Sequence, residues 1–83
     1  MKVQLMQVGE RVSLEMDPEG LDAVRAFIGR TYPDVRVNIA GSHDRVGFGG
    51  CEFLHENEFD EPYLLSQSAE GDNVLTAVAS HFA

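Results

Sequence analysis

The chain has 83 residues, 43% of them hydrophobic and 24% charged, and a formal net charge of −8. That length holds one hydrophobic core and not two, so residues 1–83 read as a single domain, and the hydrophobic content is too high for disorder. With 6 Lys and Arg against 14 Asp and Glu, the chain lacks the basic footprint that a nucleic-acid binder needs to neutralise phosphates.

Other classes fall on pattern. No apolar run approaches the roughly 18–20 residues of a membrane span. The opening MKVQLMQVGERV alternates and does not form the solid apolar block of a signal peptide. Cys51 is the one cysteine, which suits a reducing interior and argues against a disulfide-stapled secreted module. The expectation is a soluble, cytoplasmic protein.

VQLMQV and RVSLEM flank Gly9-Glu10, a turn signal with glycine first. Pairing Val8 with Arg11 sets Leu5 opposite Leu14 and Val3 opposite Met16 on one face. Gln4 then meets Glu15 and Met6 meets Ser13 on the other, and a slip of one residue would break the match. DPEGLDAVRAFIGRTYP carries helix signals: Asp17 to cap, Pro18 at the first position, Glu19 and Asp22 near the positive end of the dipole. Leu21, Val24, Phe27, Ile28 and Thr31–Tyr32 form its buried stripe, and Pro33 ends it.

VRVNIA reads as a strand with Val35, Val37 and Ile39 inward. GSHD turns the chain, and RVGF begins a return strand with Val46 and Phe48 inward. Cys51 and Phe53 continue inward after Gly49-Gly50, a parity switch that a β-bulge would produce. PYLLS reads as a short edge strand with Pro62 at its start. SAEGDNVLTAVASHFA places Leu75, Val78, Ala79 and Phe82 at helical spacing, starting at Ser68 or Asp72, because Gly71 weakens the first turn. The order β-β-α-β-β-(β)-α makes an α+β domain, two helices packed on an antiparallel-rich sheet.

The strongest functional lead is CEFLHENEFDE, residues 51–61. It holds five carboxylates (Glu52, Glu56, Glu58, Asp60, Glu61) and no Lys or Arg. Residues 1–45 hold seven acids and all six bases, whereas residues 46–83 hold seven acids and no base. If 51–60 is extended, Cys51, Phe53, His55, Asn57 and Phe59 share one face, and Glu52, Leu54, Glu56, Glu58 and Asp60 share the other. Alternate residues on a strand lie about 6.6–6.8 Å apart, so the row could occupy a groove built for a phosphate backbone, whose charges come about every 3.4 Å per strand. The bland alternative is a solvated acidic face that discourages edge pairing. Aligned like charges cost stability through self-repulsion, which favours a partner.

Other constellations carry less. Cys51 and His55 lie roughly 13 Å apart on a strand, too far to chelate one zinc, with His43-Asp44 and His81 elsewhere in the chain. Acidic surroundings disfavour a Cys51 thiolate. GFGG (47–50) lacks the strand-to-helix context and cation of a phosphate loop. Paired carboxylates such as Glu56 and Glu58 need a pocket that splits their pKa values, and so short a chain offers little interior for one. Phe59 and Tyr63, beside Asp60-Glu61-Pro62, have the makeup of interface anchors.

By size and charge the chain is similar to small acidic stoichiometric inhibitors: anti-CRISPR and other phage anti-restriction proteins, and immunity proteins that neutralise nucleases. The similarity is one of composition and no motif carries it. The expectation is a non-enzymatic inhibitor with no cofactor, metal or catalytic residue, whose Glu52, Leu54, Glu56, Glu58, Phe59, Asp60, Glu61 and Tyr63 bind a basic protein surface, a nuclease or other nucleic-acid-binding complex. The alternative is a homodimer that pairs through an exposed edge near PYLLS, its acidic face serving solubility alone.

Overall fold

A computed structural model describes residues 1–40, 43–58 and 61–83, without the side chains of Ile39, Ala40, His43 and Glu58. The chain opens with β1 (Val3–Val8) and β2 (Arg11–Met16), then α1 (Pro18–Thr31). Four strands follow, β3 (Arg36–Ala40), β4 (His43–Phe48), β5 (Cys51–Glu58) and β6 (Glu61–Ser66), and α2 (Ala69–His81) closes the chain. All six strands form one antiparallel sheet in the order β1-β2-β6-β5-β4-β3. The α+β architecture is therefore the expected one, with the sixth strand fully formed.

The first hairpin adopts the register that face matching predicts, Val3↔Met16, Leu5↔Leu14 and Val8↔Arg11, and Gly9 takes the positive φ of 60° that its turn demands. Asp17 caps α1, its side chain accepting from Gly20 N at 2.7 Å, and the helix stops at Thr31, two residues before Pro33. Ser68 caps α2, accepting from Gly71 N at 3.0 Å, which settles the earlier of the two starts. Glycine stands at 71 because a Cβ there would come within 2.7 Å of Ser66 Oγ and 3.3 Å of the Phe53 ring.

Both helices lie on one face. Val24 and Ile28 of α1 and Leu75 and Val78 of α2 pack with Leu14, Met16, Phe48, Cys51, Phe53 and Leu64 into one buried cluster. Phe48 and Phe53 stack at 4.5 Å between centroids, and Phe27 stacks on His81 at 4.0 Å, tying α1 to α2. Among the described residues the other face of the sheet carries no helix.

Four expectations are corrected. Gly49 and Gly50 form a two-residue hairpin turn, not a bulge, with φ of 62° and 75° and Phe48 paired to Cys51. The parity switch is right, but a hairpin produces it as well, because residues flanking a two-residue turn face the same side. PYLLS is no edge: β6 sits between β2 and β5, so the proposed dimer edge is already occupied and the free edges are β1 and β3. His43 and Asp44 belong to β4, while residues 41 and 42 of the expected GSHD turn lie outside the described residues. Val35 and Val37 stay 39% and 66% exposed despite their inward reading, because neither helix extends over β3.

Candidate interaction surface

Strand pairing arranges the helix-free face in rows. One row runs Arg45, Leu54, Leu65, Ser13 and Met6 across β4, β5, β6, β2 and β1. The next runs Glu56, Tyr63, Glu15 and Gln4. Tyr63 and Leu65 are half-buried, as are Leu54 and Glu56, and the Tyr63 hydroxyl donates to the Glu56 carboxylate. A central apolar strip of Leu54 and Leu65 is thus bordered by carboxylates and one phenol.

A third row, Arg36, Gly47 and Glu52, lies toward the β4–β5 turn. A Cβ on Gly47 would fall 2.6 Å from Arg36 Cζ. The missing side chain lets Arg36 lie across β4 and reach Glu52 on the next strand, 3.7 Å away, where Arg45 joins it at 3.8 Å. Lys2 reaches Glu61 at 3.7 Å, and the N-terminal amine lies 3.9 Å from both Asp17 and Glu19.

These contacts correct the reading of 51–61 as uncompensated. The stretch itself holds no base, but folding brings Lys2, Arg36 and Arg45 to Glu61 and Glu52. Such exposed pairs contribute about 0.2–1 kcal/mol each, so they temper the local field and do little for stability. Glu52, Leu54, Glu56, Glu61 and Tyr63 do share one face, as alternation requires. Phe59 and Asp60, and the side chain of Glu58, lie outside the described residues. Glu15 is the residue that sequence reasoning missed: β2–β6 pairing sets it against Tyr63. Its outward parity was legible, its neighbour was not.

The remaining residues singled out by type are dispersed. Cys51 is buried in the core. His55 points to the helix side, its Nδ1 4.0 Å from Asp44 Oδ2 and its Nε2 buried with no hydrogen-bond partner among the described residues. Burial holds its imidazole below the ordinary 6.5, Arg25 adds to that and Asp44 opposes it. His81 stands on Phe27, at the end of α2. Among the described residues no group of three or more His, Cys, Asp or Glu could hold a metal ion.

The glycine turn does cradle an anion, but an internal one. Gly49 N and Gly50 N donate to the two oxygens of Asp34 at 3.0 and 2.8 Å, and these bonds hold the Asp34 carboxyl below its usual range. The Gly49 and Gly50 amides are therefore spent on fastening the β4–β5 turn to the loop before β3.

No family model, curated protein or solved structure matches the chain. No helix among the described residues is long and apolar enough to cross a membrane.

Proposed function

We propose that this is a non-enzymatic interaction protein, a stoichiometric inhibitor that sets the helix-free face of its sheet into a basic, nucleic-acid-binding groove of a partner. The observation that carries the reading is the row of Glu56, Tyr63 and Glu15 beside the Leu54–Leu65 strip, on a chain of net charge −8. Glu52 and Glu61 flank it, and Glu58, Phe59 and Asp60 are its neighbours in sequence. Lys2, Arg36 and Arg45 offset Glu61 and Glu52 on this face. Glu15, Glu56 and the net charge of the whole chain are therefore what speeds encounter with a basic surface, while desolvated apolar and aromatic anchors hold the complex. An open antiparallel face suits this use because its side chains are held on rigid strands with no helix in the way.

The test compares the native chain with Glu56→Lys/Glu58→Lys/Asp60→Lys in capture from a lysate of the source organism, at low and moderate salt and with competing duplex DNA. The expected result is a nuclease or other nucleic-acid-binding complex retained by the native chain, released by DNA and lost with the triple reversal. Capture of the same proteins by both forms, indifferent to DNA, refutes the reading.

A further inference from the structure

On the opposite side of the sheet, α1 packs over β2 and β6 and leaves a groove of about 370 Å³ toward β3. Leu21, Arg25 and Gly29 line its helix wall, and Val35, Val37, Asp44 and His55 line its strand side. The volume falls within the range of roughly 300–1,000 Å³ typical of small-molecule sites, which are mostly apolar with a few convergent polar groups.

Three observations meet in this groove. Val35 and Val37, on β3 and its approach, are exposed apolar side chains. Gly29 sits inside α1, where glycine weakens a helix, yet a Cβ there would meet nothing within 4 Å. No packing demand accounts for that glycine, and its effect is to widen the groove. Arg25 is exposed and makes no ion pair among the described residues, so its guanidinium stands at the wall of an apolar slot with its five donors open.

The geometry points to a small-molecule site between α1 and β3 that takes an amphipathic monocarboxylate, its apolar body on Val35 and Val37 and its carboxylate on Arg25. The planar guanidinium matches a carboxylate in bidentate fashion, and a partly apolar setting strengthens the pair. Asp44 sets the polarity of binding: its negative charge on the strand side keeps an anionic head on the helix side. Gly29 leaves room for the body to lie along α1. The site is independent of the helix-free face and of the reading given to it.

The experiment is a two-dimensional amide NMR titration of the full chain with three probes of one tail length, octanoate, octan-1-ol and octylamine, each below its micellar concentration. Octanoate is expected to shift the amides of residues 21–29, 35–37, 44–46 and 55 saturably, and to bind more tightly than the alcohol or the amine. Arg25→Gln is expected to weaken octanoate about tenfold, the effect of one charge-assisted contact, and to leave the alcohol unchanged. Gly29→Leu, whose Cβ meets nothing within 4 Å, puts a branched side chain at the groove wall and is expected to abolish the saturable shifts. Equal binding of the three probes, tighter binding of octylamine, or indifference to Arg25→Gln overturns the assignment. So does a shift of the same amides on raising protein concentration alone, which identifies a second copy of the chain as the occupant.

Discussion

Two glycines in α1 give the same substitution opposite outcomes. Replacing Gly29 with Ala relieves the helix-interior penalty of about 0.8–1.0 kcal/mol and adds a methyl that touches nothing within 4 Å. For a domain of 83 residues, 1 kcal/mol corresponds to about 6 °C in Tm, so Gly29→Ala should melt about 5–6 °C higher. Gly20 lies in the first turn, and a Cβ there would come 2.2 Å from the carbonyl oxygen of Lys2 and 3.0 Å from the capping oxygen of Asp17. The first of these is backbone, and it already accepts Asp17 N at 3.2 Å. Moving it means shifting either the start of β1 or the cap of α1. Overpacking of this kind costs about 1–3 kcal/mol, which exceeds the propensity gain, so Gly20→Ala should melt several degrees lower. Thermal and urea unfolding followed by circular dichroism measures both. A Gly29→Ala chain no more stable than the native one, or a Gly20→Ala chain more stable than it, refutes the reasoning.

Three further outcomes are expected. Phe53→Ala removes a fully buried ring stacked on Phe48 at about 3–5 kcal/mol, a large part of the roughly 5–15 kcal/mol that domains possess; urea unfolding should show a much lower midpoint. Asp34 has a folded pKa below 3.8, so its contribution is full above that value and is lost as pH falls through the lowered one. Asp34→Asn should therefore be less stable at neutral pH and show a flatter acid limb in unfolding measured from pH 5 to 2. His55 has a folded pKa below 6.5, so between 6.5 and that lower value the unfolded chain binds a proton that the folded one refuses. Stability should hold above 6.5 and decline as pH falls below it, and His55→Gln should remove that part of the slope.

Much of this architecture is written in local signals. The first hairpin was legible because Leu5, Leu14, Val3 and Met16 agree in one register alone, and the start of α1 because Asp17 caps within its own turn. The start of α2 stayed open between Ser68 and Asp72 until Ser68 was seen to cap Gly71 N. What stayed hidden depends on residues far apart in the chain. PYLLS resembles an edge strand because of Pro62, yet β6 is interior, and only the pairing Leu14↔Leu64 reveals it. Val35 and Val37 alternate like core residues, but alternation specifies a face and not whether a helix reaches it. The first part of the acidic stretch was legible as a strand with Glu52 and Glu56 to one side. Its partial neutralisation was not, since Arg36 reaches Glu52 across a strand that only Gly47 makes passable. Glu15 entered the surface by the same non-local route.

The place of β6 between β2 and β5 also governs how the molecule assembles. The hairpin of β1 and β2 closes locally, and so does the run from β3 to β6, in which each strand pairs with its neighbour in sequence. One seam joins the two pieces, Ser13 to Leu65 through Glu15 to Tyr63, across some fifty residues of intervening chain. Loop closure of that span must precede any reward from the seam, and distant pairings of this kind slow folding. During synthesis the inner edge of β2 stays bare until residues 61–66 have left the ribosome, so the early chain carries an unpaired strand beside apolar Leu14 and Met16. The last quarter of the sequence thus shields the first from premature association.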